Sequence, residues 1–291
     1  MFHNVALSGG GAHVLSFIGA LQRYEERGLL RTARGYATSS GGSFVGLMLA
    51  LGFSAVEMEA FVRRMLASDF ALRISLKHAW SFGSTYGLDD GESVYELVDA
   101  IFRERNMSPR TTFLDLAKER GRHLIVAVAN VNKERVEYLS VDNAPDMPVR
   151  TAVRMTTSVP IIYTPVLYEG DYYVDALFYD NFPIRCFAEE GATTLGLRVV
   201  YRCDRIRTVW DFFHKMIMGS IEAQCVTPQS CRAAVCEIDC ADVPNFDVAQ
   251  MRFALDVDSL EKMIVLGRSA ADRALADESV TEEGVDPSKD E

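Results

Sequence analysis

Apolar positions along this chain switch between short continuous runs and a helical period, so strands and helices are expected in turn. Residues 2–7 read as a buried first strand. Residues 12–27 follow with Val14, Phe17, Ile18, Leu21 and Tyr24 at helical spacing and Gly28 as a stop. Residues 36–38 read as the end of a second strand, running straight into an apolar helix over 40–51. Ser54, with Glu57 three residues on, has the spacing of a capping box for a third helix. Further helices are expected over 92–105 and 113–120, and HLIVAVAN at 123–130 reads as a buried strand. That strand should pair with 135–140 across a turn at Asn132 and Lys133. A short helix over 149–157, a hairpin turning at Glu169, Gly170 and Asp171, a strand over 194–200 and amphipathic helices over 209–224 and 259–276 complete the order. From Glu278 the chain is acidic and lacks aromatics, so 278–291 is expected to be a disordered tail. Without a repeat or a Pro/Gly-rich linker, residues 1–277 read as one α/β layer domain.

Charge and cysteine usage narrow the function classes. Lys plus Arg is 30 against 41 Asp plus Glu, a net charge of −11, which excludes a general nucleic-acid binder. The same charge repels anionic lipid surfaces, so membrane contact requires local apolar or basic patches. No basic, apolar leader opens the sequence, and the longest apolar stretch, residues 44–53, would rise only about 15 Å as a helix. A soluble, cytoplasmic protein is expected. The cysteines, Cys186, Cys203, Cys225, Cys231, Cys236 and Cys240, include no C-x-x-C pair, so free thiols are expected and no metal site.

Three segments carry candidate chemistry. Gly9, Gly10 and Gly11, followed by Ala12, lie between the first strand and its helix. Consecutive glycines there leave main-chain N–H groups uncovered at a helix start, suited to a phosphate or an oxyanion, or to a tight turn with no ligand. Neither nucleotide fingerprint fits them. ATSSGG at 37–42 is a variant of G-x-S-x-G at a strand-to-helix turn. In that frame Ser39 is the nucleophile, Ala37 stands for the first glycine and Gly41 is the last, while Ser40 and Ser43 are plausible helix caps. Asp175 ends an apolar strand before a turn closing on Asn181 and Pro183, and Asp180 is a second candidate acid.

Together these segments resemble the patatin-like phospholipase family. The likeness is an ordered set covering about 1–277: SGGGAH, a helix ending ERG, ATSSGG, TFLDLA, LIVAVANVN, AVRMTTSVPIIYTPV, YVDALFYDNFPI and FALDVDSLEKMIVLG. The resemblance implies a three-layer α/β/α sandwich and a Ser–Asp dyad without cofactor or metal. Ser39 would attack a lipid ester, Asp175 would take its proton, and the N–H groups of Gly9, Gly10, Gly11 and Ala12 would hold the oxyanion. The chain departs from the family pattern at His13 and Val14, where a cation and a glycine are usual, and at Ala176, where a glycine usually follows the acid. Residue 176 would be strained if it needed positive φ; His13 is expected to pack or cap.

Two other readings stand beside this one. A triad would need a histidine after the acid, which only His214 supplies. A non-catalytic lipid or protein binder on the same fold would explain the departures. The expected partner is a lipid or fatty-acyl ester, with peripheral membrane contact. Residues 54–112 read as a helical, lid-like insertion whose Trp80, Phe82 and Tyr86 are candidate membrane or acyl contacts. The basic group Arg198, Arg202, Arg205 and Arg207 is a candidate for headgroups. Substrate headgroup and oligomeric state stay open.

Overall fold

The computed structural model describes residues 1–291 apart from 69–73, 75, 77, 189–192, 202–205, 207–208, 224, 226, 228–232, 244–245, 248–251, 254 and 284–291. β1 (Asn4–Leu7) and β2 (Gly35–Ser39) are buried along their whole length, as strands covered on both faces must be. With β4 (His123–Asn130), β9 (Thr194–Val200) and β10 (Ala233–Asp239) they form a parallel sheet in the order β10-β9-β1-β2-β4. Three antiparallel strands complete it: β5 (Arg135–Leu139), β7 (Val166–Tyr168) and β8 (Asp171–Asp175). Flanking helices make a three-layer α/β/α fold.

Pairing along β4 decides where chemistry can happen. β2 pairs with β4 as far as Ser39 opposite Ala127, and β8 pairs with it from Tyr173 opposite Asn130 to Asp175 opposite Val128. β5 already pairs with Val126 to Asn130. A strand has only two edges, so β2 and β8 share one and meet end to end. Their last residues, Ser39 and Asp175, therefore oppose consecutive positions of β4.

α1 (Ser16–Glu26) and α9 (Val257–Glu283) pack closely because two glycines let their backbones touch. A Cβ on Gly19 would collide with the Ile264 carbonyl, and one on Gly267 with that of Ser16. α2 (Gly42–Leu51) lies on β1, β2 and β4, and α7 (Val149–Thr156) on β4 and β8. α3 (Ala55–Ala67) starts at the expected Ser54–Glu57 capping box. A second box, Thr112 with Asp115, opens α6 (Phe113–Arg120).

Several boundaries differ from the sequence reading. The first helix begins as a 3-10 turn over Gly11–Leu15, and α2 starts at Gly42, because Ser40 adopts a left-handed backbone. α9 runs to Glu283, beyond the Glu278 at which composition places the tail; 284–291 lie outside the described residues. The 54–112 stretch is no detached cover. Met58 and Phe61 of α3, and Val98, Ile101 and Phe102 of α5 (Glu92–Glu104), belong to the main core. Apart from Val56 on α3, its exposed large apolar side chains gather instead around the short α4 (Phe82–Thr85) and β3 (Gly87–Asp89), the latter paired with β6 (Ile161–Tyr163). Among the described residues no helix is long and apolar enough to cross a membrane.

Candidate functional site

The structure brings Ser40, and not Ser39, to Asp175. The Ser40 hydroxyl donates to Asp175 Oδ2 at 2.6 Å. Ser39 is the last residue of β2, fully buried, and its hydroxyl has no partner among the described residues. The turn between β2 and α2 explains the difference. Ser40 carries φ of 50°, a strained conformation for a residue with a side chain, typical of a sharp strand-to-helix elbow. It turns the Ser40 side chain out of the sheet while Ser39 keeps its strand orientation. The Ser40 N–H donates to Thr156 Oγ1 at 2.8 Å, and the Thr156 hydroxyl donates to the Ala127 carbonyl at 2.6 Å. α7 and β4 thus hold the elbow from behind.

The motif frame accordingly moves by one residue, to Thr38-Ser39-Ser40-Gly41-Gly42. Thr38 replaces the first glycine, with its methyl lying where a side chain on Gly46 would be. A Cβ on Gly42 would collide with the Ser8 carbonyl, and one on Gly41 would sit 2.6 Å from the Gly11 carbonyl. Gly41 is therefore needed for close approach of the glycine loop. Ala37 lies within β2, between Ala6 and Ile125. Two adjacent serines hid the frame: either can be centred, depending on whether Ala37 or Thr38 replaces the glycine.

The glycine loop rests directly on the elbow, since a Cβ on Gly9 would come within 2.8 Å of Ser40 Cβ. Its Gly9 N–H does not face the site, because it donates to the Asn181 carbonyl at 2.9 Å. The next two peptides are oriented by their carbonyls. Ser8 Oγ donates to the Gly9 carbonyl at 2.8 Å, and the His13 N–H donates to the Gly10 carbonyl at 3.1 Å. A trans peptide points its N–H opposite its C=O, so these bonds also set the directions of the Gly10 and Gly11 N–H groups. Ala12 follows within the 3-10 turn.

Asp175 is buried, with 1% of its surface exposed. Burial pushes its carboxyl up to about 7, against the opposing pull of hydrogen bonds from Ser40 and from the Leu177 N–H at 3.0 Å. No cation is among those influences. Its own N–H donates to the Ser158 carbonyl at 3.0 Å. Arg154, a fully buried side chain of α7 with no signature in the sequence pattern, bonds the Ser158 hydroxyl and donates to the Asp90 and Thr164 carbonyls at 2.9 and 3.0 Å. Residues around β3 are thereby tied to Ser158, whose carbonyl holds the Asp175 N–H.

Other expectations fare variously. Ala176 is not among the residues at positive φ, so its methyl brings no backbone strain. Val14 is buried in the 3-10 turn. His13 packs, as expected, but with both ring nitrogens engaged. Asp180 accepts from Tyr138 at 2.7 Å and pairs with Arg185 at 3.0 Å, which makes it an anchor of the Asn181 turn and not a partner of Ser40. The His214 side chain lies outside the described residues. Direct contact between Ser40 and Asp175 leaves no place for an imidazole between them. Arg198 pairs with Glu222 and Glu237; Arg202, Arg205 and Arg207 lie outside the described residues. Cys186, Cys225, Cys236 and Cys240 are free thiols, and among the described residues no three or more His, Cys, Asp or Glu gather as a metal site would need. Trp80 is fully exposed, Phe82 and Tyr86 substantially so, and the Tyr86 ring meets Tyr172 of β8 edge-on at 5.9 Å.

Comparison with known proteins follows the same lines. A family model described as patatin-like phospholipase matches residues 5–188. An uncharacterized protein of Acanthamoeba polyphaga mimivirus is 26% identical over 282 residues, covering 91% of this chain and 90% of its own. A probable lipid hydrolase of Invertebrate iridescent virus 6 is 26% identical over 186 residues, 63% of this chain and 62% of that protein. In solved structures, VipD from Legionella pneumophila superposes with a TM-score of 0.57 at 15% identity, over 95% of this chain and 67% of that one, a likeness of fold.

Proposed function

Because the chain belongs to the patatin-like phospholipase family, we propose that it is a lipid acyl hydrolase with Ser40 as nucleophile and Asp175 as general base. The observation that carries this reading is the 2.6 Å hydrogen bond from a strained-elbow serine to a buried carboxylate. Asp175 takes the Ser40 proton as Oγ attacks the ester carbonyl carbon. The oxyanion is met by the Gly10 and Gly11 N–H groups and by the positive end of α2. Protonated Asp175 then gives its proton to the departing alcohol, leaving an acyl group on Ser40. Water, deprotonated by Asp175, attacks that acyl carbonyl; the fatty acid leaves and Ser40 recovers its proton. The sequence of steps consumes one ester and one water and needs no metal or cofactor.

The reaction requires ionised Asp175, and the group sits near 7. Hence kcat/KM for a short-chain p-nitrophenyl ester is expected to rise tenfold per pH unit below about 7 and to level off above it. A profile flat between pH 5 and 9 would count against Asp175 as the base.

For the cytoplasmic chain expected from the sequence, we further propose peripheral contact with lipid surfaces through Leu76 and residues 78–86. Leu76, Trp80, Phe82 and Tyr86 expose apolar side chains on this short segment. Net charge of −11 favours zwitterionic over anionic surfaces. Trp80→Ala is expected to weaken binding to phosphatidylcholine vesicles about tenfold, as loss of one inserted aromatic would. Hydrolysis of a soluble short-chain ester should change less than about twofold. Unchanged vesicle sedimentation would place the contact elsewhere.

A further inference from the structure

His13 occupies the place where the family pattern carries a cation, yet its ring does not reach toward Ser40. It is 2% exposed, and Nε2 lies 2.7 Å from the Val243 carbonyl. A carbonyl only accepts, so Nε2 carries a proton. Nδ1 therefore accepts, and the single proton of the Tyr201 hydroxyl is shared between Nδ1 at 3.1 Å and the Gly10 carbonyl at 3.3 Å. The His13 ring also packs against the Tyr201 ring, with centroids 5.4 Å apart. The Gly10 carbonyl thus meets two groups, the main-chain N–H of His13 and the hydroxyl that His13's ring fixes in place.

Gly10 and Gly11 have no side chains to hold them, and a peptide flip there would reverse the direction of the Gly11 N–H. Holding the carbonyl end prevents the flip. On the reading that Ser40 is the nucleophile, we propose that His13 and Tyr201 are positioning residues for the oxyanion hole. His13 orients the Tyr201 hydroxyl, and Tyr201 holds the Gly10–Gly11 peptide with its N–H toward the developing charge. Neither side chain touches substrate. They act on the transition state, in which the oxyanion shortens its contact to the N–H, and hardly on substrate binding. The pair acts from behind the loop, through hydrogen bonds to its carbonyl side.

The test is steady-state hydrolysis of a soluble p-nitrophenyl ester by wild type, Tyr201→Phe, His13→Gln and the double variant, with Ser40→Ala as reference. Tyr201→Phe removes one oxygen and keeps the ring packing, so folding, checked by Tm, should hold. The expected result is a kcat about tenfold lower with KM within about twofold, since a positioning group should cost less than a direct oxyanion donor, about 10²-fold or more. His13→Gln should lower kcat similarly, and adding it to Tyr201→Phe should cost less than about a further twofold, because both act through one peptide. Wild-type kcat in Tyr201→Phe, a change in KM alone, or multiplicative effects in the double variant would overturn the assignment. Activity surviving in Ser40→Ala would instead overturn the reading of the site on which it rests.

Discussion

Ser40→Ala is expected to abolish ester hydrolysis, by at least about 10³-fold, whereas Ser39→Ala leaves kcat within a few-fold of wild type. The two residues are neighbours of identical chemistry, so the contrast tests geometry alone. On the proposed reading, Ser40 attacks while its proton passes straight to Asp175 Oδ2, to which its hydroxyl already donates. Ser39 Oγ is buried at the end of β2 with no hydrogen-bond partner among the described residues. Removing a buried, unsatisfied hydroxyl relieves a desolvation cost, so Ser39→Ala should keep or slightly raise Tm. Hydrolysis of a p-nitrophenyl ester and thermal unfolding of both variants check the two halves. Loss of activity in Ser39→Ala with a wild-type Tm would return the nucleophile to the strand.

Asp175→Asn should remove activity and stabilise the fold above neutral pH. Asparagine cannot take the Ser40 proton, so kcat is expected to fall by about 10³-fold or more. The stability effect follows from the carboxyl being raised to about 7 from an ordinary 3.8. A group with a raised folded-state pKa contributes stability below its unfolded value and loses it as pH climbs through the folded value. Between pH 4 and 7 the native state increasingly holds a proton the unfolded chain has released. Above 7 it must hold a buried charge, at a cost of about 4 kcal/mol. Asparagine avoids that cost and keeps both contacts: its oxygen accepts from Leu177 N–H, and its amide donates to Ser40 Oγ. Tm of Asp175→Asn should exceed wild type by several degrees at pH 8, with the gap shrinking toward pH 5. A Tm deficit growing with pH would show that the carboxylate is stabilised in place and not strained by burial. The site would thus trade stability for a base poised near neutrality.

Local pattern made most of the elements legible. Both runs at 123–130 and 194–200 are mainly apolar because both strand faces are covered, and their bounds agree with the structure. The box at Ser54 and Glu57 was readable because capping depends on a fixed three-residue spacing. Legibility failed where a single backbone angle or a distant contact decides. Nothing local says whether Ser39 or Ser40 takes positive φ; the choice is made by α7 and β4 through Thr156 and Ala127. Arg154 lies in the short helix expected over 149–157, where nothing local marks it, yet a space kept by Gly91 receives its guanidinium, which a Cβ there would strike. His13 reads as a lost cation, and its partners lie in Tyr201 and Val243, far along the chain. The 54–112 stretch looks separable in sequence, but α3 and α5 carry side chains that complete the main core.

The most direct test of the account is to label the folded wild-type protein with a fluorophosphonate ester and map the modified peptide residue by residue. Such a reagent phosphonylates only a serine activated by a base and supported by an oxyanion site. The account predicts one adduct, on Ser40, absent from Ser40→Ala and retained in Ser39→Ala. An adduct on Ser39, or no adduct on folded protein above pH 7, would contradict it.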